Sequence, residues 1–290
     1  MLQTVLQAAM SGLLMGLIYA LVAAGLSLIF GLMDVVNFAH GEMMMLAMYA
    51  TFVLWQATGL DPLLQLPLIA LLMFGLGMLV YRGLIARALS VPFNRGMVQI
   101  FVTFGLAIFL RGAAQFTFGG EFKSITHSWL GDRTVQIAGI YLPLPQVAAG
   151  LVCLLAFALL LAVSRTEFGR ALEATREDRD AVALIGIDRD RIFSLGWGLG
   201  AATVGVAGVM LASFYYVSPN VGANFALIAY VTVALGGFGS LAGALVAGIL
   251  IGEVEALTAA VIEPSLKQVG VFGIYLVVLM VRPRGLFGKP

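Results

Sequence analysis

Runs of about twenty apolar residues recur along almost the whole chain, and that pattern admits few folds. A helix that crosses a bilayer needs roughly 20 mostly apolar residues. Such segments occupy approximately 10–31, 40–58, 62–81, 97–118, 146–163, 193–215, 225–261 and 267–282. The seventh is too long for one crossing and carries Gly236, Gly237 and Gly239, so it divides at Gly236–Ser240 into 225–236 and 241–261. The first of these pieces is too short to span comfortably and reads as a broken or re-entrant helix near 225–240. The expected fold class is therefore all-α. It is a polytopic membrane helix bundle of about eight transmembrane helices, forming a single domain over 1–290.

Composition agrees. Of 290 residues, 61% are hydrophobic and only 11% are charged, whereas soluble domains carry roughly 25% charged residues. The formal net charge of +1 gives no basic excess, which argues against nucleic acid as a partner. The single cysteine, Cys153, lies in an apolar run and can form neither an internal disulfide nor a metal cluster. The first ten residues lack a positive stretch, and the apolar run Val5–Met33 is too long for a cleavable signal, so it reads as a retained span.

Basic residues orient a polytopic chain. Arg82, Arg87 and Arg95 follow the third span. Arg165, Arg170, Arg176, Arg179, Arg189 and Arg191 fill the loop 164–192, and Arg282, Arg284 and Lys289 close the chain. An even number of crossings separates each cluster from the next when 225–236 is counted. All three then lie on the cytoplasmic side, with the N-terminus outside, the C-terminus inside and the loop 119–145 external. Small residues at four-residue spacing, Gly12 with Gly16 and Ala244 with Gly248 and Gly252, suit close helix approach in lipid. With 35 glycines, chance spacing is the competing reading.

Three constellations stand out against this apolar background. Residues 167–185 of the charged loop read as an amphipathic helix stopped by Gly186. Such a helix is either a membrane-skimming connector or a docking surface for a cytoplasmic partner. The stretch 31–42 places Asp34, Asn37, His40 and Glu42 between two apolar runs. Polar groups at membrane depth face a cavity or a partner, while Asp34 or Asn37 at a helix start suits a cap. Finally, Arg111, Glu253 and Glu255 lie inside spans. Arg111 and Glu253 fall within ~3 Å of the same depth at about 1.5 Å per residue, which predicts an ion pair between Arg111 and one of the two glutamates.

Other patterns carry less. Gly237-Phe-Gly239-Ser-Leu-Ala242 matches a dinucleotide-loop spacing but follows an apolar span instead of a soluble strand. Met43, Met44, Met45 and Met48 read as packing residues. His127 reads as solvated. No Gly-x-x-x-x-Gly-Lys-Ser/Thr loop occurs, and no Ser–His or Cys–His constellation can be assembled. If transport is active, its energy comes from a gradient or from another subunit.

Together the residues resemble the permease subunits of branched-chain amino-acid ABC importers, specifically the LivH-like member of the permease pair. The stretch Gly-Leu-Met-Asp-Val-Val-Asn-Phe-Ala-His-Gly-Glu (31–42) resembles the family signature. Gly-Arg-Ala-Leu-Glu-Ala-Thr-Arg-Glu-Asp (169–178) with Ala-Leu-Ile-Gly-Ile (183–187) is similar to its cytoplasmic coupling segment. Ala-Leu-Gly-Gly-Phe-Gly-Ser-Leu-Ala-Gly (234–243) is similar to its late glycine-rich turn, and Arg-Pro-Arg-Gly-Leu-Phe-Gly (282–288) fits its ending. The resemblance covers nearly the whole chain in order.

It implies a bacterial inner-membrane machine with a second homologous permease, two ATP-binding subunits and a periplasmic substrate-binding protein. This chain would bind no cofactor, ATP and magnesium being used by the partner subunits, and it would be no enzyme. Segment 164–192 becomes the coupling segment, with Gly169, Arg170, Asp178, Ala181, Gly186 and Ile187 as its contact positions. Asn37, His40 and Glu42 move toward a pathway or gating role. Permeases for urea, short amides or ribose-type solutes are neighbouring expectations, and a gradient-driven transporter using Asp34, Glu42 and Glu253 is the alternative of another class.

Overall fold

The computed structural model describes residues 1–33, 36–91, 94–131, 133–137, 139–177, 182 and 186–288, with the backbone alone at Arg95. Among the described residues, ten helices carry the architecture: α1 Leu2–Met33, α2 His40–Thr58, α3 Pro62–Leu89, α4 Arg95–Phe118, α5 Leu144–Ser164, α6 Glu167–Glu177, α7 Arg189–Ala212, α8 Val221–Gly236, α9 Leu241–Val261 and α10 Lys267–Val281. Seven of the described helices are long and apolar enough to cross a membrane: α1, α3, α4, α5, α7, α9, and α10 with its preceding turn from Pro264. The fold is an all-α polytopic membrane bundle.

Local chemistry sets several helix ends. Asp61 caps α3 by accepting from the Leu63 amide at 2.9 Å, with Pro62 in the first turn. Asp188 caps α7 through the Arg191 amide at 3.1 Å, and Ser240 caps α9 through the Gly243 amide at 3.0 Å. Each supplies an oxygen to an otherwise unpaired first-turn donor. Gly59 ends α2 in the left-handed region, φ 69°, where a missing Cβ removes the steric penalty.

The centre is built on α1 and α7. The two helices are buried over most of their length, and α2, α3, α5, α8 and α9 pack around them. The small-residue stripes face one another. A Cβ on Gly12 would come within 2.8 Å of the Gly252 carbonyl oxygen, and one on Gly248 within 2.5 Å of the Ala20 amide nitrogen. The backbones of α1 and α9 therefore touch, which in lipid replaces hydrophobic drive with dense contact.

The structure adds one element that the sequence does not announce. The loop between α4 and α5 contains a β-hairpin, β1 Thr134–Ile137 paired antiparallel with β2 Ile140–Pro143. Its four-residue strands are too short to register beside twenty-residue spans. The connector helix, read over 167–185, is helical at Glu167–Glu177 and at Val182; residues 178–181 and 183–185 lie outside the described residues. Gly186 does act as a stop. Its φ is 83°, and the Ile187 amide donates to the Val182 carbonyl at 3.1 Å, a helix-terminating pattern.

Contacts at the helix ends sort the chain into two faces. At one end Tyr81 donates to Asp190 at 3.0 Å. At the same end the amides of Leu286 and Phe287 donate to the carbonyls of Leu235 and Gly236 at 2.8 and 3.0 Å. The opposite end holds Trp55 donating to the His127 carbonyl at 3.0 Å and Ser128 donating to Asp61 at 2.9 Å. The Tyr141 amide donates to Gln7 at 2.8 Å there as well. The segments carrying the three basic clusters thus share one end, as the odd–even count of crossings requires.

Candidate functional site

The stretch 36–42 does not sit in an interfacial loop. Met33, at the end of α1, is level with Gln99 in α4, whose side-chain nitrogen lies 3.8 Å from the Met33 sulfur. His40 Nε2 lies 2.9 Å from the Val22 carbonyl, eleven residues back along α1. A carbonyl only accepts, so Nε2 carries the hydrogen. At about 1.5 Å per residue the chain has folded back ~16 Å into the bundle before α2 begins. Arg111, twelve residues beyond Gln99, is at the same level.

That return places a polar knot at mid-depth. Asn37 and His40 are fully buried, and Glu42 is 2% exposed. Asn37 Oδ1 accepts from the Ala39 amide at 3.1 Å, making a turn one residue ahead of α2. The helix start itself has no side-chain cap, so Asn37 shapes the turn instead of capping, while Asp34 lies outside the described residues. Tyr230 of α8 donates to the Asn37 carbonyl at 3.2 Å. Gly41 and Gly222 bring the starts of α2 and α8 together. A Cβ on Gly222 would meet the Gly41 carbonyl oxygen at 2.7 Å and Glu42 Oε2 at 2.5 Å. Glu42 therefore rests where two helix N-termini converge, at the positive ends of their dipoles.

Glu42, and not Glu253 or Glu255, holds Arg111. Its Oε1 accepts from Arg111 Nε at 3.1 Å and from a terminal guanidinium nitrogen. Arg111 sits at the depth its sequence position implies, but α2 starts at mid-depth and not at the membrane surface. With α2 starting at mid-depth, Glu42 reaches the level of Arg111, and α4 lies against α2. Glu255 pairs with Lys267 at 2.9 Å and accepts from Tyr19 at 2.6 Å. Glu253 has no ion-pair partner among the described residues.

At the basic end, α6 lies under the bundle. Gly169 and Thr175 are buried on its inner face. A Cβ on Gly169 would run into the Ser164 backbone. Arg170 points away, 71% exposed, with Glu167 4.0 Å distant and itself 96% exposed. That leaves its charge open to an outside partner. Asp178 and Ala181 lie outside the described residues, and Gly186 with Ile187 forms the stop described above. Sequence reasoning singled out no role for Arg176, yet its guanidinium lies over the Gly237–Ser240 turn: a Cβ on Gly239 would come within 2.9 Å of it. The dinucleotide-like glycines serve that turn, with φ of 103° at Gly237 and 76° at Gly239, conformations that suit glycine. Met43, Met44, Met45 and Met48 are fully buried core residues.

A third feature escaped the sequence. Near the end opposite the basic clusters, a cavity of about 500 Å³ opens between α1, α8, α9 and the start of α10. Tyr19, Glu255 and Lys267 line it. Each was visible only as one polar residue in its own span, and their convergence depends on packing.

Comparison with known proteins gives the family. Residues 8–280 match the family described as "Branched-chain amino acid transport system / permease component". The chain is 32% identical to the high-affinity branched-chain amino acid transport system permease protein BraD of Pseudomonas aeruginosa, over 98% of this chain and 96% of that one. It is 29% identical to the permease protein LivH of Escherichia coli K12 over the same shares. It is 27% identical to the permease protein LivM of that strain, over 93% of this chain and 68% of LivM. Among solved structures, PsaBC from Streptococcus pneumoniae in complex with Fab aligns at TM-score 0.46 and 16% identity, over 95% of this chain and 92% of that one. On the match spanning 8–280, together with a relative above 30% identity along nearly its full length, the chain belongs to the permease components of branched-chain amino acid transport systems.

Proposed function

We propose that this chain is the LivH-type permease subunit of an ATP-driven importer that carries leucine, isoleucine and valine into the cytoplasm. The reading rests on the end-to-end match to BraD and LivH, whose names state that transport. The chain pairs with a second homologous permease, receives substrate from a periplasmic binding protein and is driven by two ATP-binding subunits that use ATP and magnesium. It sits in the bacterial inner membrane with its N-terminus outside and its basic end cytoplasmic.

Support for the drive comes from the basic end. The exposed Arg170 face of α6 is the docking surface, with Gly169, Asp178, Ala181, Gly186 and Ile187 completing it. Closure of the ATPases pushes α6. Arg176 passes the push to the α8–α9 turn, which the C-terminal residues Leu286 and Phe287 strap from the other side. Helix α8 then carries it to Gly222, against Glu42. Asn37, His40 and Glu42 form the hinge at which α2 and α8 change their relation, gating the pathway.

Reconstitution tests the reading. The chain is co-purified with its second permease and ATPases and placed in liposomes with ATP inside and binding protein outside. It is expected to accumulate radiolabelled leucine only when ATP is hydrolysed. Uptake that persists without the ATPases and collapses with a protonophore would identify a gradient-driven transporter and overturn it.

A further inference from the structure

The cavity near the outer end joins two kinds of surface. One is charged: Lys267 Nζ lies 2.9 Å from Glu255 Oε1, and the Tyr19 hydroxyl donates to Glu255 Oε2 at 2.6 Å. The Glu255 side chain is 14% exposed and that of Lys267 48%, so both remain reachable from the cavity. The other surface is apolar. Phe225 packs against Tyr19 and Tyr215 with ring centroids 5.9 and 5.6 Å away, and Met15 and Ile228 extend the wall. The volume, about 500 Å³, lies within the roughly 300–1,000 Å³ of small-molecule sites.

An ammonium and a carboxylate held side by side next to an apolar wall complement one ligand class well. We propose that this cavity is a substrate station inside the permease that receives a free α-amino acid with an aliphatic side chain. Glu255 takes the α-ammonium, Lys267 takes the α-carboxylate, and Phe225 with Ile228 faces the side chain. The assignment deepens the importer reading and rests on it.

Hydrogen-bond valence and charge both favour a zwitterion. The lysine ammonium has three donors and the carboxylate about four acceptor positions, so the pair can admit the ligand's two charges without being broken. Four alternating charges then close a neutral ring. An isolated cation or anion would leave one site charge uncompensated, which is costly away from water. Tyr19 is 4% exposed, and it fixes the carboxylate that the ligand meets. A station of this kind needs only weak affinity, because a conducting site must also release what it binds.

The test uses the whole permease–ATPase complex in lipid nanodiscs without binding protein, observed by saturation-transfer NMR on added ligands. Leucine is expected to receive saturation. Leucinamide, which lacks the carboxylate, and 4-methylpentanoate, which lacks the ammonium, should compete at least about tenfold more weakly, the factor that corresponds to ~1.4 kcal/mol. Lys267→Gln should abolish the discrimination against leucinamide alone, and Glu255→Gln that against 4-methylpentanoate alone. A purely structural role for the pair would weaken all three ligands together and leave the ranking intact, overturning the proposal. If a variant fails to assemble, the ranking of the three ligands on the wild-type complex decides, and equal competition sinks the station. Should the wild-type complex accumulate leucine in liposomes yet show no such ranking, the station fails while the importer reading stands. Absent any ATP-driven uptake, that reading fails first.

Discussion

Arg111 and Glu42 show how one pair can hold a membrane fold open to inspection. Glu42 is 2% exposed and Arg111 38%. Removing the arginine strands a carboxylate among buried groups, and breaking a buried pair costs about 3–5 kcal/mol. Arg111→Ala is therefore expected to lower the yield of monodisperse protein on fluorescence-detected size exclusion and to depress its melting temperature. Adding Glu42→Gln removes the stranded charge and should restore at least half of the loss. A double variant no better than Arg111→Ala alone would mean that Glu42 is not the partner. Sequence reasoning recognised that Arg111 needed a carboxylate, because an unpaired arginine in a span is costly. It chose the wrong one because counting residues along a helix yields a level in the membrane and says nothing about which neighbour stands at that level.

At the scale of elements, the long helices were legible and their irregular joints were not. A spanning helix writes itself as twenty apolar residues, so the ends of α4, α5 and α9 fall within three residues of their expected positions. The short α8, at 16 residues, was expected as a broken or re-entrant piece. Its length of ~24 Å falls short of the ~30 Å hydrocarbon layer, and it starts at mid-depth beside Gly41. The matching return before α2 was missed, because so short a connection leaves no periodic signal. The glycine stripes were legible as spacing, and the structure turns them into a steric rule for the α1–α9 contact. Gly248→Leu would drive a side chain into the Ala20 backbone, with even its Cβ 2.5 Å from the amide nitrogen. Overpacking costs typically 1–3 kcal/mol, and more where backbone must move. The variant is expected to lose most of its folded yield, whereas Gly273→Leu on α10, whose Cβ meets nothing within 4 Å, should keep it. Equal yields from the two would refute a touching α1–α9 interface.

Across the whole molecule, α8 runs from the turn beneath Arg176 to Gly222, which lies against Glu42 in the mid-depth knot. Arg170 and Arg176 lie on the same short helix but face different things: Arg170 faces outward, and Arg176 faces the α8–α9 turn. If α6 is a lever, its two arginines separate grip from transmission. Arg170→Glu reverses charge at the proposed docking face and should reduce the ATPase recovered with the permease from detergent, with uptake falling in proportion. Arg176→Ala leaves that face untouched. It should retain the ATPase subunits and their hydrolysis while lowering leucine uptake several-fold, so that less substrate moves per ATP. The ratio of uptake to hydrolysis, measured in one liposome preparation, distinguishes the two. If Arg176→Ala lost the ATPases as Arg170→Glu does, Arg176 would belong to the grip. An unchanged ratio in Arg176→Ala would mean that the push reaches α8 by another route, through the C-terminal strap on Leu235 and Gly236.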